Sequence, residues 1–153
     1  MPTLISVSIL FAFAALVFGF EPLTKPLVPL PEQEYSRVFY AFSSQGKVPI
    51  KLLHQGLFAG QMTVRAHSAL LLGDQGDRSS VPYLIDALSD QSMHVGVNYP
   101  EAGMATTRYW ANESLKKLTK KAFGFIWNDP EAKRSKAIQQ WREWYLLDSK
   151  PKP

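Results

Sequence analysis

The chain has 153 residues, 17 Lys and Arg against 13 Asp and Glu, a formal net charge of +4, 46% hydrophobic residues and no cysteine. That is room for one domain of modest core, and the charge is that of an ordinary solvated surface, too small to imply nucleic acid. Without cysteine there can be no disulfide, thiolate metal site, cysteine nucleophile or lipidated N-terminal cysteine.

From Leu4 to Phe20 the sequence is LISVSILFAFAALVFGF, with no charge and only Ser6 and Ser8 as polar side chains. At about 1.5 Å per residue such a helix approaches the roughly 30 Å of a bilayer's hydrocarbon. Residues 1–20 are therefore expected to be a transmembrane anchor or a signal segment. The lack of Lys or Arg before the run argues for a retained anchor, whereas Val17 and Gly19 suit cleavage before Phe20. Either way the domain is expected outside the cytoplasmic membrane, anchored on the periplasmic side or released there. In residues 21–31, EPLTKPLVPLP, the prolines Pro22, Pro26, Pro29 and Pro31 forbid a regular helix. This segment predicts an extended linker. At about 3.1 Å per residue it could hold the domain about 30 Å off a bilayer, or lie along a partner as a strap.

The folded part is expected over 32–148, with 149–153 as a flexible tail. Tyr35, Val38, Phe39 and Phe42 recur at helical spacing within Glu32 to Ser44. A second helix is predicted from Pro49 to Phe58, with Val48, Leu52, Leu53 and Leu57 inward and Gly60 as its break. The next pattern runs from Val64 through Leu70, Leu71 and Leu72, with Gly73 as the expected stop. Ser79 or Ser80 is then expected to cap a helix with Pro82 in its first turn and with Val81, Leu84, Ile85 and Leu88 on one face. The last helix is predicted from Glu131 to Leu147 behind the cap Asp129 and Pro130, its stripe being Ala137, Ile138, Trp141, Trp144 and Tyr145.

The chain also repeats. Val48-Pro49 followed by Leu52-Leu53 returns 33 residues later as Val81-Pro82 followed by Ile85, and Arg65, Ser68, Ala69 and Leu72 return 43 residues later as Arg108, Ala111, Asn112 and Leu115. The second unit thus holds about ten extra residues, within Gln91 to Ala105. A repeated helix pair that cannot bury its own apolar face predicts an all-α fold, a short α-solenoid closed by a C-terminal capping helix.

Leu72-Gly73, Gly76-Asp77 and Val81-Pro82-Tyr83-Leu84-Ile85-Asp86-Ala87-Leu88 resemble the HEAT-like repeats of the phycobilisome-lyase type. Ala111 to Thr119, Phe123-Gly124-Phe125 and Trp141-Arg142-Glu143-Trp144 resemble the closing segment of bacterial HEAT-repeat proteins, secreted ones included. The resemblance implies that Arg65, Arg108, Asp77 and Asp86 support inter-helix turns. It also implies a non-catalytic protein-interaction module, an accessory or scaffold subunit docking on a membrane or extracytoplasmic complex. A bilin or tetrapyrrole lyase or chaperone is the alternative that it leaves open.

No chemistry-bearing constellation competes with that reading. His54, His67 and His94 share no ligand spacing, no serine stands in a GxSxG elbow, and the repeat accounts for Asp74, Asp77, Asp86 and Asp90. No metal, cofactor or nucleic acid is expected. The insertion QSMHVGVNYPEAGMATTRYW is least needed for folding, so Met93, His94, Asn98, Tyr99, Met104 and Tyr109 are the candidate partner contacts. Lys116, Lys117, Lys120 and Lys121 crowd one helix end, where they either complement the dipole or meet an anionic surface. In the latter case the chain would be a peripheral anionic-lipid-binding module.

Overall fold

In a computed structural model of the chain, residues 19–93 and 106–150 are described. Among them are six α-helices and no strand: α1 Tyr35–Ser44, α2 Ile50–Gly56, α3 Met62–Gln75, α4 Val81–Ala87, α5 Thr107–Thr119 and α6 Glu131–Asp148. Short 3-10 turns precede α1 at Glu32–Glu34 and α4 at Arg78–Ser80. The fold of these residues is all-α. The apolar run up to residue 18 lies outside them, and no helix among them is long and apolar enough to cross a membrane.

The helices form two layers. α1, α3 and α5 pack side by side, and α3 makes its most extensive contact with α5. α2, α4 and α6 form the other layer, joined by His54 stacked on Tyr83 at 4.3 Å and by contact between α4 and α6. The apolar periods explain the core between them. Val81, Leu84 and Ile85 of α4 and Leu88 just after it are fully enclosed, as are Leu72 of α3 and Leu115 of α5, the pair that the repeat equates. Burial of a leucine or isoleucine contributes about 1.5–3 kcal/mol, so the enclosed aliphatics dominate what holds the layers together.

Three expectations about helix ends are corrected. α3 does not stop at Gly73 but runs to Gln75, and Gly76 ends it with its N–H on the Leu72 carbonyl at 2.8 Å. Gly73 instead permits a close crossing, because a Cβ there would stand 3.0 Å from Cβ of Ser114 on α5. Gly56 does the same between α2 and α3, where an added Cβ would lie 2.9 Å from Cβ of Ser68. Neither Ser79 nor Ser80 caps α4 by side chain. Asp77 caps the preceding turn, accepting from Ser79 N at 2.8 Å, and Ser80 Oγ is engaged by His54 Nε2 at 2.8 Å. Asp129 makes no side-chain cap on α6, since the residue flanking the helix is Pro130 and Asp129 offers its carbonyl to Arg134.

The largest departure concerns the proline-rich segment. It is extended, as its prolines require, but it does not stand off as a spacer: residues 20–30 lie across α6, α4 and α2 in turn. Arg142 of α6 donates to the Glu21 carbonyl at 2.5 Å and places its guanidinium 4.9 Å from the Phe20 ring. Asp86 of α4 accepts from Leu23 N at 2.8 Å, Thr24 N at 2.8 Å and Thr24 Oγ1 at 2.7 Å. Leu30 N donates to the Gln55 carbonyl of α2 at 3.0 Å, and the Leu30 side chain is buried in the core. Leu23 and Leu27 pack on the core between those points. Asp86 thus holds this strap rather than an inter-helix turn, and the strap ties the first helices to the last.

Candidate functional site

Both feet of the insertion are anchored, and the anchor is built from buried charge. After α4 the backbone winds through two more turn bonds, Ser89 N to Asp86 O at 3.1 Å and Asp90 N to Ala87 O at 3.1 Å, which carries the Asp90 carboxylate under the N-terminal half of α3. There Arg65 Nε donates to Asp90 Oδ2 at 2.7 Å, with the two side chains 4% and 6% exposed. The same guanidinium bonds the Ala59 carbonyl at 2.8 Å, the Gly60 carbonyl at 3.1 Å and Ser92 Oγ at 2.6 Å. One fork thereby closes the turn before α3 and fixes the chain leaving α4, using the planar donor geometry particular to arginine. Burial alone would push the Asp90 carboxyl up, but Arg65 and the bonds from Ser92 together outweigh it and hold the group below its usual range.

Two more arginines complete the clamp. Arg108, near the start of α5, reaches the Asp90 carbonyl and Met93 Sδ, both at 3.5 Å. Arg134, in the first turn of α6, bonds the Asp129 carbonyl at 2.6 Å and Gln91 Oε1 at 3.4 Å. Burial pushes the Arg108 guanidinium down to about 10, the neighbouring Arg134 adds to this, and Asp90 offsets part of it. At the other foot Thr106 accepts from Tyr109 N at 3.3 Å, capping α5, and Thr106 and Thr107 are both buried. Since Arg65 and Arg108 meet at Asp90 while Lys117 pairs with Asp74 at the far ends of the same helices, α3 and α5 run parallel.

The candidate residues fall in different places. Met93 is half exposed on the clamped foot, and Tyr109 is partly buried in the first turn of α5 with its ring edge-on to Trp110 at 5.0 Å. His94, Asn98, Tyr99 and Met104 lie outside the described residues. The four lysines are at the opposite end of α5. Lys116 pairs with Glu113 at 2.6 Å and Lys117 with Asp74, while Lys120 ends the helix in the left-handed conformation at φ 58° beside Lys121. The structure therefore does not unite the two candidate groups. Arg134 and Arg142 are working polar residues to which sequence reasoning gave no such role, and Asp86 and Asp90, expected as turn and surface residues of the repeat, hold the strap and the clamp instead. Leu23, Leu27 and Leu30 set among prolines were the available signal for a docked strap; nothing local pairs Arg65 with a carboxylate 25 residues away.

The remaining histidines are structural. His67 lies between Phe39 at 5.2 Å and Phe42 at 4.2 Å, and burial pushes its imidazole down. His54 is also pushed down by burial, against an opposing pull from Asp77. The comparisons with known proteins return no matching family model, no matching curated protein and no matching solved structure.

Proposed function

We propose that the chain is a non-catalytic, HEAT-like protein-interaction module, tethered through residues 4–20 on the outer side of the cytoplasmic membrane, that serves as an accessory subunit of a membrane or extracytoplasmic complex. The observation that carries this reading is the clamp. Three buried arginines fix Asp90 to Met93, and a capped helix start fixes Thr106, so the insertion between them springs from a rigid base. Surface loops held on rigid supports are where binding residues concentrate, because the support has already met part of the ordering cost of association. Such a base is more than a tolerated insertion needs. Met93 and Tyr109 stand at its rim, and the residues between them supply the remaining contacts.

The test is co-purification of the full chain from membranes, comparing the natural protein with one whose residues 94–104 are replaced by a Gly/Ser linker of equal length. The replacement spares every clamp residue. Loss of a stoichiometric partner with unchanged thermal stability is the expected result. An intact assembly after the replacement contradicts the assignment of the contact, and an intact mass lacking residues 1–19 contradicts the tether.

A further inference from the structure

Arg65 and Arg108 hold the same place in the repeat, but their guanidiniums are not equally supplied. Each has one edge, formed by Nε and Nη2, whose paired donors fit the two oxygens of a carboxylate. Arg65 turns that edge to Asp90, with Nε 2.7 Å from Oδ2 and Nη2 3.5 Å from Oδ1. On Arg108, which is 3% exposed, Nε has no acceptor among the described residues and Nη2 meets the Met93 thioether at 3.5 Å, a weak acceptor. Arg134, 9% exposed, repeats the pattern: Nε lacks an acceptor, and Nη2 reaches Gln91 Oε1 at 3.4 Å. The charges around these edges do not balance. The buried guanidiniums of Arg65, Arg108 and Arg134 share one buried carboxylate, Asp90, whose oxygens Arg65 already holds. Asp129 gives Arg134 its carbonyl, and neither Arg108 nor Arg134 has an ion pair among the described residues. A buried donor left unmet is destabilising, and more so when it is charged. The side chain over the Arg108 edge is the half-exposed Met93, whose rotatable thioether can swing aside at little cost.

We propose that Arg108 and Arg134 form a receptor for one carboxylate group, which the docking partner supplies as an acidic side chain in place of the Met93 thioether. The inference rests on the reading of the clamped end as the protein contact and gives that contact its chemistry. The class of ligand follows from the repeat itself, because the acceptor on the matching edge of Arg65 is a carboxylate. A partner bringing that group meets donors already fixed in place, so little ordering is left for binding to do.

The full chain in a zwitterionic detergent, isotope-labelled at the arginine nitrogens, tests the site without a partner. Sodium acetate is titrated against sodium chloride at equal ionic strength while the Nε–H resonances are followed, with Arg65 as the paired reference. The expected result is a saturable downfield shift and several-fold slower exchange with water at Arg108 and Arg134, in acetate alone, and no change at Arg65. R108M keeps much of the side-chain volume and removes the unmet charge. It is expected to hold the urea midpoint of the natural chain in chloride and to lose the rise that acetate gives. In co-purification from membranes it is expected to retain the partner about tenfold less well. Equal responses to acetate and chloride, or none, would overturn the site, and they are read on the natural chain even if R108M fails to fold. An Arg108 Nε–H that exchanges slowly before acetate is added, and quickly once residues 94–104 are a Gly/Ser linker, would assign the carboxylate to Glu101 of the chain itself and overturn the external source. Equal retention of the partner by R108M, with loss on the linker replacement, would overturn this inference and leave the docking reading standing. Absence of any partner from the natural chain removes the docking reading and the partner's carboxylate together.

Discussion

The two ends of the helical array use charge in opposite ways. At the clamped end the ion pair is enclosed, with Arg65 and Asp90 side chains at 4% and 6% exposure, and its donors also close two turns. At the other end the pairs are open: Lys117 with Asp74 at 58% and 49%, and Arg78 with Asp148 at 54% and 40%. Enclosed charge locks geometry, because removing one partner strands the other in a medium that solvates it badly. Open charge is screened and exchanges easily with water. One end is therefore built to hold a shape, and the other leaves its charges to water.

The largest effect is expected from Asp90→Ala, which leaves Arg65 buried and unpaired. A loss of about 3–5 kcal/mol in urea-unfolding stability is predicted. A loss under about 1 kcal/mol would place this end on a par with the open one. Next comes Asp86→Ala, which removes the acceptor of three strap bonds. We expect about 2–3 kcal/mol from lost charge-assisted bonds, together with fast amide exchange at Leu23 and Thr24. Slow exchange there in the variant would mean that the strap is held by its leucines alone.

Acid is expected to weaken the fold moderately. His54 and His67 are both pushed down by burial, so the unfolded chain binds protons more readily than the folded one. Their contribution is complete above the unfolded value of about 6.5 and is lost as pH falls through the lower folded values. Urea midpoints are thus predicted to drop between pH 7.5 and pH 5.5, and to drop less in His54→Gln. The smallest effect is Lys117→Ala, which is expected to change stability by about 1 kcal/mol or less because its pair with Asp74 is solvated.

Much of the array was legible in the sequence, and the reasons are local. The α4 face of Val81, Leu84, Ile85 and Leu88 has a helical period that any enclosing partner would satisfy, and all four are buried. The unequal spacing of the repeat, 33 residues in one register and 43 in the other, located the insertion whose feet the arginines hold. What was hidden depends on residues far away in the chain. Gly73 has the local look of a helix stop, and only Ser114, brought up against it by α5, shows it to be a crossing point. The prolines of 21–31 dictate extension but not what the extended chain lies on, and its acceptor Asp86 is 63 residues from Leu23. Asp86 itself matched a repeat motif whose usual role would have been a turn. The candidate contacts were readable as loop chemistry, and the clamp beneath them was not.

The clamped end is the proposed contact with protein. A photoreactive amino acid installed in the full chain at Met93 or at Leu147, and irradiated in native membranes, tests this most directly. A discrete protein adduct is predicted from position 93 and none from position 147. No protein adduct at 93, or one at 147 alone, would contradict it.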